Sequence, residues 1–246
     1  LLPAMLMRTS RARPYMHYTN LFVLPLYHAL LYGVAKDFVN WILDPITREE
    51  MARKDIPWWK VTKEGRALIV AREANIVAVS EYGHAHGSVI KDRNHWTMDQ
   101  WLHFFLTWST LIFAPGDRPN NQGPLHDDVF EMFVNLRAAI KYFCVMDVPD
   151  ASATQEAVEA LKRYTIKAEE AVKKEGVQTP KGCIIVKLLS FNLHILNCRL
   201  YEQEQARGHV AFENELWIER VIQALKQSTK YRVGTARTRG CQLHDD

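Results

Sequence analysis

The chain has 246 residues, 48% of them hydrophobic and 24% charged, which is ordinary for a globular protein with one large domain or two small ones. The formal net charge of +3 is too small to indicate a nucleic-acid partner by itself. No uninterrupted apolar run reaches about 18 residues, so we expect no membrane-spanning helix and no membrane partner. The chain begins without Met and without a secretory leader, which predicts a fragment of a longer protein.

A basic stretch comes first in the chain. Arg8, Arg11 and Arg13 precede every acidic residue. Arginines grouped in this way neutralise phosphates in many nucleic-acid-binding proteins. The alternative is a solvated surface segment, and the sequence leaves both open.

The next segment is strongly apolar and predicts a strand, a turn and a helix. Leu21–Leu24 has the composition of a short buried strand, which Pro25 ends because proline cannot donate to a ladder. His28–Leu43 follows with apolar residues at helical spacing. The predicted inner stripe contains Leu30, Leu31, Val34, Phe38 and either Trp41 or Ile42.

The middle of the chain predicts helices, with one further short strand at Ile76–Ser80. Two segments begin with the residues of a capping box, Thr47 with Glu50 and Thr97 with Gln100. The predicted helices are Thr62–Ala74, Trp101–Phe113, Leu125–Met146 and one from Ser152 to Glu175 with a solvated face at Glu169, Glu170, Lys173 and Lys174. The aromatic residues of Trp101–Phe113 favour a core role over base stacking, because they recur at helical spacing. His84 and His86 lie on a glycine-rich turn without a third metal ligand nearby.

Two helices are predicted near the end of the chain. Val186–Leu200 is apolar on almost every face, which indicates a buried helix that encloses His194. In Phe212–Lys226 an apolar stripe is flanked by Glu219. A carboxylate at the border of a buried stripe can be a metal ligand, and the alternative is a solvated helix edge. The acid-free tail then carries basic residues that fit either phosphate contacts or a disordered charged end: Lys226, Lys230, Arg232, Arg237 and Arg239.

The four cysteines form no C-x-x-C pair, which argues against a zinc knuckle and a disulfide framework and favours a reducing intracellular compartment. Cys144 and Cys198 lie in apolar helical patterns. We expect both to pack as small hydrophobic side chains.

Three stretches of the chain carry short recognisable motifs. Leu216–Arg220 is followed by Leu225 and Lys226, and Lys187–Leu200 precedes them. The third stretch contains His28, Gly33, Val34, Lys36 and Asp37. In this order they resemble the last catalytic helix, the buried helix before it and the second catalytic region of the CACTA and Kyakuja–Dileera–Zisupton type DDE transposases. The second catalytic Asp of these families is replaced by Pro25.

The resemblance implies a mainly α fold, a helical domain with a small remnant of an RNase H-like α/β core. Residues 1–45 would be the core remnant, 46–182 a helical insertion, 183–230 the C-terminal catalytic-helix region and 231–246 a basic flexible tail. The implied partner is DNA, the location nuclear or otherwise intracellular, and self-association is left open.

The implied reaction is two-metal phosphoryl transfer with Mg²⁺ or Mn²⁺. Glu219 would be the retained catalytic residue and metal ligand, with His28 and His194 on the adjoining helices. One carboxylate cannot hold two hard cations tightly, so we expect this fragment of a transposase to be inactive by itself.

A second hypothesis is a helical protein-interaction or structural module with no nucleic-acid role. Core packing explains every feature except the resemblance. The position of Glu219 separates the two hypotheses, because the transposase hypothesis places its carboxylate beside Val23 and His28.

Overall fold

The computed structural model describes residues 24–53, 56–76, 87–116, 123–145, 151–175, 188–207 and 209–213. These residues contain helices and loops and no strand, so the prediction of a mainly α class is confirmed for the described part of the chain. Leu24 and Ile76, the only described residues of the two predicted strands, lie in loops instead. In the same described ranges, no helix is both long and apolar enough to cross a membrane.

The helices are numbered in chain order. Two of them contain a wide π-helical part that continues directly into α-helix. Their bounds are α1, His28–Ala35 (π) and Lys36–Ile42; α2, Arg48–Arg53; α3, Lys63–Ala74; α4, Met98–His103, Phe104–Trp108 (π) and Ser109–Phe113; α5, Asp127–Phe143; α6, Ala151–Glu175; and α7, Phe191–Arg207. Short 3₁₀ turns lie at Arg93–His95 and Val210–Glu213.

Helix α1 lies at the centre of the described fold. Between His28 and Ile42 only His28 is exposed, and the predicted inner stripe is buried, with both Trp41 and Ile42 inside. A helix that is apolar on nearly all sides needs neighbours on several sides. Helices α4, α5 and α7 contact α1, and Tyr164 of α6 packs edge-on against the Phe38 ring.

Helices α5 and α6 form an antiparallel hairpin. His126 caps α5 by accepting the Asp128 N–H on its Nδ1, and the two aspartates of the first turn complement the helix dipole. Cross-helix pairs such as Arg163 Nε to Asn135 Oδ1, at 2.9 Å, fix the antiparallel register. The predicted charged face of α6 is exposed as expected.

The aromatic residues of α4 are core residues, as predicted. Trp101, Phe104 and Phe105 are buried. In the π-helical part of α4, the Arg137 guanidinium of α5 donates to the carbonyl groups of Phe105 and Leu106, both at 2.9 Å, and Ser109 Oγ also donates to the Phe105 carbonyl. A charged side chain therefore satisfies the backbone at the point where α4 widens.

Both predicted capping boxes are present. Thr47 N–H donates to Glu50 Oε2 at 2.7 Å and Glu50 N–H returns a bond to Thr47 Oγ1 at 3.2 Å. Thr97 and Gln100 make the equivalent pair at the start of α4. These elements follow from local sequence alone, because both partners lie within one helical turn.

The prediction of a helix buried on every face at Val186–Leu200 is wrong. Helix α7 begins at Phe191, which is 74% exposed, and His194 is exposed as well. Only the side with Leu193, Leu196 and Leu200 is buried, because α7 packs against α1 and α6 with that side alone. The expected burial of Cys198 is wrong for the same reason, whereas Cys144 is buried as predicted.

Candidate functional site

Most residues of the predicted site lie outside the described residues. These are Glu219, Arg8, Arg11, Arg13, Lys226, Lys230, Arg232, Arg237 and Arg239, together with the histidine turn at His84 and His86. His28 and His194 are described, and both are exposed. His28 stands on the first turn of α1, as predicted, with its ring 5.9 Å from that of Tyr32.

The start of α1 lies against the C-terminal part of α7. Pro25 is exposed, and its carbonyl oxygen accepts the Ala29 N–H at 2.8 Å, so the helical bonding begins there. The preceding residue, Leu24, donates its N–H to Gln203 Oε1 at 2.8 Å. This bond places Pro25 close to the end of α7.

A second contact fixes how α1 and α7 run past each other. A Cβ atom built on Gly33 would lie 2.9 Å from Cγ of Asn192. Since Leu24 pairs with Gln203 and Gly33 with Asn192, the two helices are antiparallel and cross closely at the glycine. By this register His28 is level with the middle of α7.

The described residues do not provide a two-metal site. Within the described ranges no three His, Cys, Asp or Glu side chains are grouped closely enough to share a metal ion. Pro25 offers no ligand atom from its side chain, and its carbonyl oxygen already accepts a helical hydrogen bond. The donor atoms that the structure describes around the start of α1 therefore do not fit a pair of hard divalent cations.

A buried polar cluster, which the sequence analysis missed, lies at the end of α7. Glu204 and His209 are 6% and 5% exposed. His209 Nδ1 is 2.8 Å from Glu204 Oε1, and Val210 donates its N–H to Glu204 Oε2 at 2.9 Å. Tyr142 donates to Glu204 Oε1 at 3.2 Å and also hydrogen-bonds to Thr154.

Both ring nitrogens of His209 have a partner. Nε2 is 2.8 Å from the Val145 carbonyl oxygen, which can only accept, so Nε2 is the donor in that bond. These hydrogen bonds join the end of α5 and the first turns of α6 to the chain after α7. We therefore assign the cluster the role of holding these three segments together.

One signal in the sequence pointed to this cluster. Glu204 continues the buried stripe of Leu193, Leu196 and Leu200 by one further turn. A carboxylate at an apolar stripe position needs a partner inside the protein. The partner, His209, follows five residues later, beyond the end of the helix.

A groove of about 590 Å³ lies beside the cluster. Tyr142 and His209 form part of its lining, and the exposed side chains of Lys141 and Glu156 border it. Its remaining lining is mostly apolar and comes from Leu106, Ala138, Val145, Ala153 and Ala157.

The other buried charges have structural partners. Lys60, with a side chain 2% exposed, contacts Asp44 Oδ2 at 2.8 Å and Glu50 Oε1 at 3.0 Å. Arg93 donates to Asn40 Oδ1 and to the carbonyl groups of Val89, Ile90 and Leu43. Burial lowers the pKa of Arg93 and raises that of the Tyr164 hydroxyl well above its ordinary range. Neither group is poised for acid–base catalysis near neutral pH.

No protein-family model matches this chain, and neither a curated protein nor a solved structure matches it.

Proposed function

We propose that the chain derives from the C-terminal part of a DDE transposase of the CACTA or Kyakuja–Dileera–Zisupton type and does not catalyse phosphoryl transfer alone. The observation that carries the proposal is the hydrogen bond from Leu24 N–H to Gln203 Oε1. It supports a fold in which the position of the second catalytic Asp faces the chain segment leading to Glu219.

The path of the chain after α7 also supports the proposal. Glu204 holds the Val210 N–H at 2.9 Å, so the chain turns back towards the end of α7, next to Gln203. Glu219 lies six residues beyond Glu213. Six residues span about 9 Å as a helix and at most about 20 Å when extended. The proposal therefore requires the chain after Glu213 to bring Glu219 back to Pro25.

Lack of activity follows from the residue at the second Asp position. Two-metal phosphoryl transfer needs carboxylates that bridge both cations. Pro25 supplies none, and Glu219 alone cannot hold two Mg²⁺ or Mn²⁺ ions tightly. What remains for this chain is DNA contact through Arg8–Arg13 and Lys226–Arg239.

Calorimetric titration of Mn²⁺ tests the proposal in the wild type, three variants and one control variant. Pro25→Asp restores the missing carboxylate and should bind Mn²⁺ more tightly than the wild type. Glu219→Gln should remove any weak binding by the wild type. The double variant, Pro25→Asp with Glu219→Gln, should not bind Mn²⁺ more tightly than the wild type.

Pro25→Asn is the matched control. Asp and Asn both cap a helix that begins at this position, so the two variants should have similar stability and differ mainly in charge. The Asn variant should titrate like the wild type. Identical titrations for all variants would rule out a remnant metal site.

The second hypothesis, a protein-interaction module, is favoured by the exposed side of α7. Phe191 and Tyr201 are 74% and 42% exposed, and with His194 and Cys198 they recur at spacings of three and four residues. A row of exposed aromatic side chains on one helix face is a candidate contact surface. Under this hypothesis the wild type should self-associate in sedimentation experiments, and Phe191→Glu with Tyr201→Glu should be monomeric. If the wild type stays monomeric at high protein concentration, the exposed side of α7 no longer supports the interaction-module hypothesis.

A further inference from the structure

We propose that His194 and Cys198 form a two-ligand site for a thiophilic divalent cation of the zinc class on the exposed side of α7. The site does not depend on the transposase proposal, since it uses neither Glu219 nor the residue at position 25, but it shares the exposed side of α7 with the contact surface of the second hypothesis. It is also separate from the buried Glu204–His209 cluster.

The separation of the donor atoms fits a shared metal ion. Cys198 Sγ is 3.8 Å from His194 Nδ1 and 3.9 Å from Nε2. With Zn–S about 2.3 Å and Zn–N about 2.1 Å, tetrahedral geometry puts the two ligand atoms roughly 3.6 Å apart. Cys198 Sγ is nearly equidistant from the two ring nitrogens, so neither nitrogen lone pair points at it. The His194 ring therefore has to rotate before one nitrogen and the thiolate bind the same ion. Thiolate and imidazole are the ligands that zinc prefers over harder cations.

The backbone that carries the pair is held in place. The two residues are one helical turn apart on the same face of a 17-residue helix. The opposite face is anchored by buried Leu193, Leu196 and Leu200. Asn197, between the two ligands, donates from Nδ2 to Thr165 Oγ1 of α6 at 2.8 Å. Binding therefore orders two side chains and requires no movement of the helix.

The site is open to solvent. His194 and Cys198 are both exposed, so a hydrated cation reaches them directly. In the described part of the chain no third His, Cys, Asp or Glu joins them, and water completes the coordination. Two protein ligands hold zinc more weakly than the four of a structural site. The cation should therefore exchange freely and leave with a chelator without unfolding the protein.

The experiment uses the full chain, kept reduced, with Co²⁺ as the probe. Cobalt bound to a thiolate gives a sulfur-to-metal charge-transfer absorption, which zinc abolishes when it displaces the cobalt. We expect the band to saturate at one Co²⁺ per chain. Cys198→Ser should remove the band, and His194→Gln should weaken Co²⁺ binding by about tenfold or more.

Two controls separate this site from other cysteines and histidines. The double variant Cys183→Ser with Cys241→Ser should keep the band. His103→Gln, at another exposed helical histidine, should leave the affinity for Co²⁺ unchanged. Circular dichroism verifies that each variant folds, which is expected because the substituted side chains of α7 are exposed. No band in the wild type, or a band that persists in Cys198→Ser, would overturn the proposal.

Discussion

Glu204 holds together the chain around the end of α7. Its carboxylate contacts the His209 ring and accepts the Val210 N–H, and it is nearly inaccessible to solvent. Removing one member of a buried hydrogen-bonded pair leaves the other without its partner in the interior.

Glu204→Ala should lower the free energy of unfolding by about 3–5 kcal/mol in urea titrations. Glu202→Ala is the control, because Glu202 is exposed and pairs only loosely with Arg199 at 3.7 Å. It should cost about 0–1 kcal/mol. If Glu204→Ala and Glu202→Ala lower the free energy of unfolding equally, the role assigned to the buried cluster is wrong.

Glu50 gives stability a defined pH dependence. Burial raises the pKa of Glu50, but the Thr47 N–H bond and the hydrogen bond and charge of Lys60 lower it more, so the net pKa is below its ordinary value. A carboxyl whose pKa is lower in the folded state stabilises that state above the unfolded pKa. The contribution disappears as the pH falls through the folded pKa.

Glu50→Gln should therefore lower the free energy of unfolding at neutral pH, by about 1 kcal/mol. Gln still completes the capping box with Thr47, so the variant measures the effect of the Glu50 charge alone. Urea midpoints measured from neutral pH into acid should converge for the two proteins below the ordinary pKa of glutamate. A difference that stays constant across this range would argue against the ion pair with Lys60.

At the residue scale, prediction from sequence succeeded where both partners are close in the chain. The Thr47–Glu50 and Thr97–Gln100 boxes and the burial of Phe38 follow from spacing within one or two helical turns. The pairing of Lys60 with Asp44 and of Glu204 with His209 depends on how separate elements meet. The spacing rules for helices contain no information about such contacts.

Helix α1, and not α7, is the element around which the described fold is built. Both segments are apolar on several faces, so periodicity alone does not distinguish them. The difference lies in the neighbours, since α1 is enclosed by α4, α5, α6 and α7 while α7 packs on one side only. Because α7 packs on one side only, Phe191, His194 and Cys198 are exposed.

The crossing of α1 and α7 depends on Gly33. Gly33→Ala would bring a methyl group against the Asn192 side chain. The substitution should cost about 1–3 kcal/mol, although Ala alone favours a helix by about 0.5–1 kcal/mol over Gly.

Asn192→Ala removes the atoms nearest to the new methyl group. In that background Gly33→Ala should be nearly neutral, and the coupling energy from the double-mutant cycle should be about 1 kcal/mol or more. Additive effects would show that the two helices are not in close contact at this point.

At the scale of the whole molecule, the described residues share one core. A single cluster of buried side chains runs from Leu24 to Val210 and includes residues of α1, α3, α4, α5, α6 and α7. The helical class could be predicted from sequence because every long apolar segment has helical spacing. The order in which the helices pack could not, because it depends on contacts between residues far apart in the chain, such as Leu24 with Gln203. The division at residues 45, 182 and 230 stays a prediction.

DNA binding should be weak and electrostatic, through Arg8–Arg13 and Lys226–Arg239. The logarithm of the affinity should fall linearly with the logarithm of the salt concentration. Replacing Arg8, Arg11 and Arg13 by Gln should reduce that slope by up to about 3, since each phosphate contact contributes about 0.9. Replacing Lys162 and Lys173, on the solvated side of α6, should leave the slope unchanged. Absence of binding at low salt, or binding independent of salt, would argue against this interface.

The distance between positions 25 and 219 tests the central claim most directly. Nitroxide labels at Pro25→Cys and Glu219→Cys, in a chain without its native cysteines, report that distance by pulsed electron paramagnetic resonance. Labels at positions 25 and 202 give the reference, since Gln203 beside Glu202 is bonded to Leu24. A transposase-derived fold predicts one narrow distribution for 25–219, as short as the reference and below about 20 Å. A long or broad distribution, with the reference pair still short, would contradict it.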